Sequence, residues 1–274
     1  MSRAAGAGTV GAVTPSPRIF LAVAAGALAL LLAARLAEIT RLAYADSLVV
    51  LSLLALGVEL VLGLTACAGA LLSRAPFDVR LGLGASRLRA RSLALLILGM
   101  LALSHGLDAI LELSGLREES ALAGFAERLH GARGGALWLA LVGLVVAPSI
   151  AEELLCRGFL QRGLQRRLGA PAAIGISALV FGVLHIEPVH ALFAAVLGLY
   201  LGVAARWADS TRASIGCHLV NNLASVGMMV AFRQAQPAPA LSIPLAFAVC
   251  LGCLWEVSRD KAIAGARGTA DALD

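Results

Sequence analysis

Apolar runs long enough to cross a bilayer recur along almost the whole chain, and no other feature constrains its fold as strongly. They lie at about 19–34, 48–72, 92–113, 136–151, 171–187, 189–205, 213–232 and 241–257. A helix needs ~20 apolar residues to cross ~30 Å of hydrocarbon, and backbone in lipid must satisfy its own hydrogen bonds. Each run is therefore expected to be helical. Of the 274 residues, 59% are hydrophobic and 14% charged, with a mean hydropathy of +0.88. A soluble domain carries roughly 25% charged residues, so this chain could not cover its own surface in water. The expected fold class is all-α, a polytopic membrane protein of about eight transmembrane helices.

Residues 1–18 read as a disordered tail, 19–135 as N-terminal spans and loops, 136–258 as a core of spans, and 259–274 as a cytoplasmic tail. The first run is expected to stay uncleaved, because Ala33-Ala34-Arg35 is a poor signal-peptidase site. Arg74, Arg80, Arg87, Arg89 and Arg91 mark one loop as cytoplasmic. Counting spans from that loop puts both termini inside, together with Arg162, Arg166, Arg167, Arg206 and Arg212. Lys261 is the only lysine, the mark of a GC-rich and bacterial coding sequence, which points to a bacterial inner membrane. The net charge of +5 reads as loop charge facing anionic lipid, and no nucleic-acid partner is expected. Cys67, Cys156, Cys217, Cys250 and Cys253 lie in or beside apolar runs as small hydrophobes, without a disulfide framework.

The polar residues within the apolar runs carry the functional signal, since charge in lipid is costly. In "EELLCR", Glu153 and Arg157 form an i,i+4 pair with the acid first, the favourable order. Glu152, about 100° around the helix, is left without that partner. Gly169-Ala170-Pro171 is a stop followed by a start, so 149–168 and 171–186 are expected to form a hairpin. Glu152 lies 17 residues before that turn and His185 16 after it. At ~1.5 Å per residue both sit ~25 Å from the turn, where a carboxylate and an imidazole can meet. His218 and Asn222 in "HLVNN" are i,i+4 on one face, either an interhelical hydrogen-bonding device or two donors toward one point. His218 comes out shallower than Glu152 on this estimate. His185 and His190 straddle Pro188 and are not expected to share a face, while Glu59, His105 and Asp108 are either polar glue or cavity lining.

"EELLCR", "FGVLH" and "HLVNN" together resemble the E-E-x-x-x-R, F-x-x-x-H and H-x-x-x-N motifs of the CAAX-protease and bacteriocin-processing family, also called the Abi or type II CAAX prenyl endopeptidase family. The resemblance covers about residues 136–235 and implies an eight-span intramembrane endopeptidase. It implies Glu152 as the base that activates water, with His185 as its partner and His218 and Asn222 stabilising the oxyanion. Glu153 and Arg157 would be supporting charges, and Phe181 would pack beside the site. Cys156 stands where the family more often has a bulky apolar or aromatic residue, and no dedicated base for it as a nucleophile is evident.

Family members have been labelled metalloproteases, and Glu152, His185 and His218 could supply three zinc ligands with water as a fourth. The H-E-x-x-H signature is absent, and His218 beside Asn222 suits an oxyanion hole better, so a mechanism requiring no cofactor is the favoured expectation. The leading function is hydrolysis of a peptide bond in a membrane-anchored or membrane-proximal protein or peptide, within the lipid bilayer. A non-catalytic membrane binding or immunity protein on the same fold and a small transporter are the alternatives. No inverted repeat supports the transporter.

Overall fold

The computed structural model describes residues 47–116, 126–232 and 239–260. The expected tail 1–18, first span 19–34, loop residues 117–125 and 233–238, and C-terminal tail from 261 lie outside the described residues. Among those described the chain is helical, with no strand. The helices are α1 (Leu48–Leu71), α2 (Phe77–Leu81), α3 (Ala90–Leu113), α4 (Gly134–Leu141), α5 (Ala147–Glu153), α6 (Arg162–Val183), α7 (Pro188–Ala208), α8 (Thr211–Ala231) and α9 (Ser242–Ser258). Two π-helical segments, Val142–Val146 and Leu154–Gln161, join α4 to α5 and α5 to α6.

Five helical stretches among the described residues are long and apolar enough to cross a membrane, and α9, at 17 residues, is shorter. This is an integral membrane protein. The runs at 136–151 and 171–187 lie in the continuous helical segment Gly134–Val183, on either side of a break. That stretch turns at Gly169, whose φ of 76° and ψ of 168° are not helical. Ser177 Oγ donates to the Cys156 carbonyl at 2.9 Å across that turn. A straight helix would hold those residues ~31 Å apart, so the chain doubles back as the Gly169-Ala170-Pro171 pattern requires.

Small residues set how closely the helices approach, as they do where lipid supplies no hydrophobic drive for association. Helix α1 runs parallel to the 142–161 stretch. A Cβ on Gly143 would lie 2.7 Å from the Ser52 carbonyl oxygen, one on Gly63 3.6 Å from the Ala151 Cβ, and one on Gly69 against the Phe159 ring. Helix α7 lies against the hairpin through Gly198 and Gly202, whose carbonyls accept hydrogen bonds from Arg157 and Gln161, each at 2.9 Å.

The arginines gather at one end of the bundle. Arg80 donates to the Gly158 and Phe159 carbonyls and stacks on the Phe159 ring at 4.6 Å. Arg162 and Arg87 both reach Asp209, at 3.0 Å each. Gly82, with φ of 64°, turns the chain beneath Arg162, whose guanidinium occupies the place of a Cβ. Burial first, then the charges of Arg166 and Arg162, lowers the proton affinity of the Arg80 guanidinium below its ordinary value.

The packing of α6 on α7 can be tested at one glycine. A Cβ on Gly182 would stand 2.6 Å from the Ala191 carbonyl oxygen, whereas one on Gly175 would meet nothing within 4 Å. Gly182→Ala should therefore destabilise the protein by about 1–3 kcal/mol, and Gly175→Ala should be neutral or stabilising by about 0.5–1 kcal/mol. Thermal unfolding of both variants in detergent checks this, and equal midpoints would contradict the helix contact.

Candidate active site

The hairpin and α8 bring most of the sequence-predicted residues into one polar layer inside an apolar bundle. Glu153 ends α5, and its side chain is 0% exposed. Its Oε1 accepts from Arg157 Nη1 at 2.6 Å and lies 3.1 Å from His218 Nδ1. Arg157 is equally buried, and its Cζ stands 4.4 Å from the centre of the Phe181 ring. The expected i,i+4 pair thus forms, and it reaches two further helices.

Glu152 is 7% exposed. Its Oε2 faces His218 Nε2 at 3.9 Å and has no hydrogen-bond partner. That separation is beyond a direct hydrogen bond and within the span of one bridging water. The His218 Nδ1 beside a carboxylate oxygen must carry the proton, which turns Nε2 toward Glu152.

Phe181 stands between the two imidazoles, with its ring centre 5.0 Å from that of His185 and 5.6 Å from that of His218. His185 Nδ1 lies 2.8 Å from the Phe181 carbonyl oxygen. A carbonyl only accepts, so Nδ1 carries the hydrogen, and the Nε2 of the neutral ring is left with its lone pair.

Two expectations of proximity need correction. No hydrogen bond or ion pair joins Glu152 to His185 among the described residues; His218 is the imidazole beside Glu152. The expected meeting of Glu152 and His185 assumed an α-helical rise, but Leu154–Gln161 is π-helical. A π turn holds more residues than the 3.6 of an α turn, so the α-helical count overstates the distance of Glu152 from the hairpin turn. His185 and His190, expected on different faces, are in contact with ring centres 4.5 Å apart. Ile186 adopts a φ of 60°, and Glu187 caps α7 by accepting from Val189 N and His190 N. This tight turn folds the second ring back onto the first.

A cavity of about 430 Å³ opens beside this layer, lined by Phe181, His185, His190, His218, Asn221 and Asn222. His105 and Asp108 of α3 also line it, whereas Glu59 and Glu152 do not. Glu59 is instead buried, with its Oε2 unpartnered. Asn221 was missed by the sequence reading. It is buried, with its Oδ1 unpartnered, and its i,i+3 spacing from His218 was a usable signal, since that spacing also shares a face. Cys156 is wholly buried and uses its carbonyl to accept from Ser177. Among the described residues no group of three His, Cys, Asp or Glu side chains could hold a metal ion, so Glu152, His185 and His218 do not assemble as a zinc set here.

The buried ion pair yields a direct prediction. Arg157→Met would leave Glu153 buried without its main counter-charge, at a cost of about 3–5 kcal/mol. Combining it with Glu153→Gln should recover most of that loss, because the two positions are coupled. Unfolding of the two single variants and the double variant in micelles measures the coupling, and additive losses would refute it.

No curated protein and no solved structure matches this chain. The family of type II CAAX prenyl endopeptidases described as Rce1-like does match, over residues 134–224. That stretch contains "EELLCR", "FGVLH" and "HLVNN" in full, with the ion pair, the cavity-lining imidazoles of His185, His190 and His218, and both asparagines. Over residues 134–224 this membrane protein is a match to the Rce1-like, type II CAAX prenyl endopeptidase family that its three motifs resemble.

Proposed function

We propose that this protein is an intramembrane endopeptidase that hydrolyses a peptide bond in a membrane-anchored or membrane-proximal substrate. The carrying observation is the buried, hydrogen-bond-free Oε2 of Glu152, 3.9 Å from His218 Nε2. A carboxylate desolvated in that way is a strong acceptor for the proton of an attacking water held between the two groups. Attack forms a C–O bond to the scissile carbonyl carbon, and the water proton passes to Glu152. Charge then develops on the former carbonyl oxygen, where Asn222 and Asn221 supply neutral amide donors at the cavity wall, beside His218. The C–N bond then breaks as the carbonyl re-forms, and the proton taken up by Glu152 passes through His185 Nε2 to the leaving amine. Glu153 and Arg157 orient His218 and Phe181.

The remaining parts of this reading follow from charge and length. The arginine-rich end faces the cytoplasm, with both termini on that side of a bacterial inner membrane. The Gly134–Val183 stretch counts as two spans meeting at Gly169, which keeps the total at eight when residues 19–34 form the first. The substrate lies in the bilayer, and the apolar walls of the cavity suit a lipid-embedded peptide rather than a nucleic acid.

Cleavage of membrane-anchored peptides by purified protein in lipid tests the reading, with wild type beside Glu152→Gln and a chelator added to both. Loss of a general base should lower kcat about 10²–10⁴-fold, and Asn222→Ala should lower it about 10²–10³-fold. Chelator should leave the wild-type rate unchanged. If folded wild type cleaves nothing and Glu152→Gln leaves its cellular phenotype intact, a non-catalytic membrane binding protein is the better account.

A further inference from the structure

The cavity beside the polar layer extends toward one end of the bundle only. Contacts between helix ends fix which of them lie with the arginines. Arg87 N donates to the Ala208 carbonyl at 3.0 Å, and Thr211 N to the Gly82 carbonyl at 2.9 Å. Ser92 Oγ donates to Asp260 at 2.6 Å, and Arg162 reaches Asp209 from the hairpin. The starts of α3 and α8 and the ends of α7 and α9 therefore share the arginine-rich face. The end of α3, the start of α7 and the end of α8 lie at the opposite face.

The cavity keeps to that opposite side. Its lining comes from α3 between Met100 and Glu112, from α7 between His190 and Leu201, and from α8 between His218 and Met229, ending at Phe232. Among the described residues, none that lines it belongs to 74–91, 162–167 or 206–212, where the arginines gather. On the arginine side the helices close on one another. Leu88, Leu96, Ala204, Ala208, Ala213 and Cys217 are buried in one apolar cluster. The Tyr200 hydroxyl donates to the Leu96 carbonyl at 2.7 Å, and Gln161 Nε2 to the Gly202 carbonyl at 2.9 Å. A path from that face to His218 would have to part these contacts. Away from it, exposure rises along the cavity wall of α8: His218 is buried, Asn222 and Ser225 are half-buried, and Ala224 and Met228 are exposed.

We propose that the candidate active site is loaded from the bundle face opposite the arginines, and that its substrate is the apolar anchoring segment of a protein whose scissile end lies outside the cytoplasm. This rests on the endopeptidase reading and on the arginine-rich face being cytoplasmic. Leu107, Phe193, Met228 and Phe232 line the outer path, so the entering segment is apolar. Counted back from Ala231 at the end of α8, Asn222 lies ~14 Å and His218 ~20 Å inward. An extended chain at ~3.3 Å per residue covers that depth in about four to six residues, which is how far inside the membrane boundary the cleaved bond sits.

Cysteine accessibility in sealed membrane vesicles tests the route without any substrate. The full chain carries Cys67→Ser, which removes the one cysteine that is not buried. To it is added Ala224→Cys or Ser225→Cys on the cavity wall, or Arg91→Cys at the arginine-rich face. A small, charged, membrane-impermeant methanethiosulfonate should label Ala224→Cys and Ser225→Cys in right-side-out vesicles and fail to label them in inside-out vesicles. Arg91→Cys should show the reverse. Labelling of either cavity cysteine from the face that labels Arg91→Cys overturns the proposal. So does labelling of neither from any face, or labelling of Arg91→Cys in right-side-out vesicles. Cleavage separates this failure from that of the endopeptidase reading. With an apolar anchored peptide in right-side-out vesicles, external reagent should stop cleavage by Ser225→Cys and leave that by the Cys67→Ser parent unchanged. Cleavage that continues after external labelling overturns the route. A wild type that cleaves nothing ends the endopeptidase reading, and the labelling still decides which face the cavity opens to.

Discussion

The polar layer of this protein depends on one buried ion pair, Arg157 with Glu153, joined at 2.6 Å with both side chains fully buried. Taking two charges out of water costs several kcal/mol per ion, and only good geometry with further hydrogen bonds compensates. The surrounding groups meet that requirement. Glu153 lies within hydrogen-bonding distance of His218, and Arg157 donates to the Gly198 carbonyl and covers the Phe181 ring. The pair thereby ties the π-helical segment to α6, α7 and α8 at one depth. Its contribution is chiefly to arrangement, since a buried pair is weak evidence of net stability.

Around that pair the other polar groups divide by access. His185, His190, His218, Asn221 and Asn222 reach the cavity, while Glu152 and Glu59 lie behind its wall. A carboxyl screened from bulk water by an imidazole, with amide groups on the open side, is the layout on which the proposed hydrolysis rests. The small residues of α1 and α7 make it possible. Gly143, Gly63 and Gly69 bring α1 against the 142–161 arm of the hairpin, and Gly198 exposes the carbonyl that holds Arg157.

Some of this was legible from spacing alone. The Glu153–Arg157 contact follows from i,i+4 geometry, and the reversal at Gly169 from a glycine followed closely by Pro171. The contact of His185 with His190 was not legible, because it depends on Ile186 adopting a left-handed conformation that β-branched residues disfavour. Nor was the partner of Glu152. Counting residues at an α-helical rise placed it with His185, whereas the imidazole 3.9 Å from it is that of His218, on another helix.

What the sequence by itself determined is the class and the candidate residues: membrane helices from the length and purity of the apolar runs, and a set of candidate site residues from the ionisable and amide side chains that interrupt them. These are local properties, set by backbone hydrogen bonding in lipid and by residue periodicity along one helix. Tertiary structure alone decided which of those residues meet. His218 comes within 3.9 Å of Glu152 across more than sixty positions of sequence, and the glycines of α1 set its register against the hairpin. Helix register in lipid is settled by the packing of small residues and by the few polar contacts that must be satisfied. Neither can be counted along a single helix.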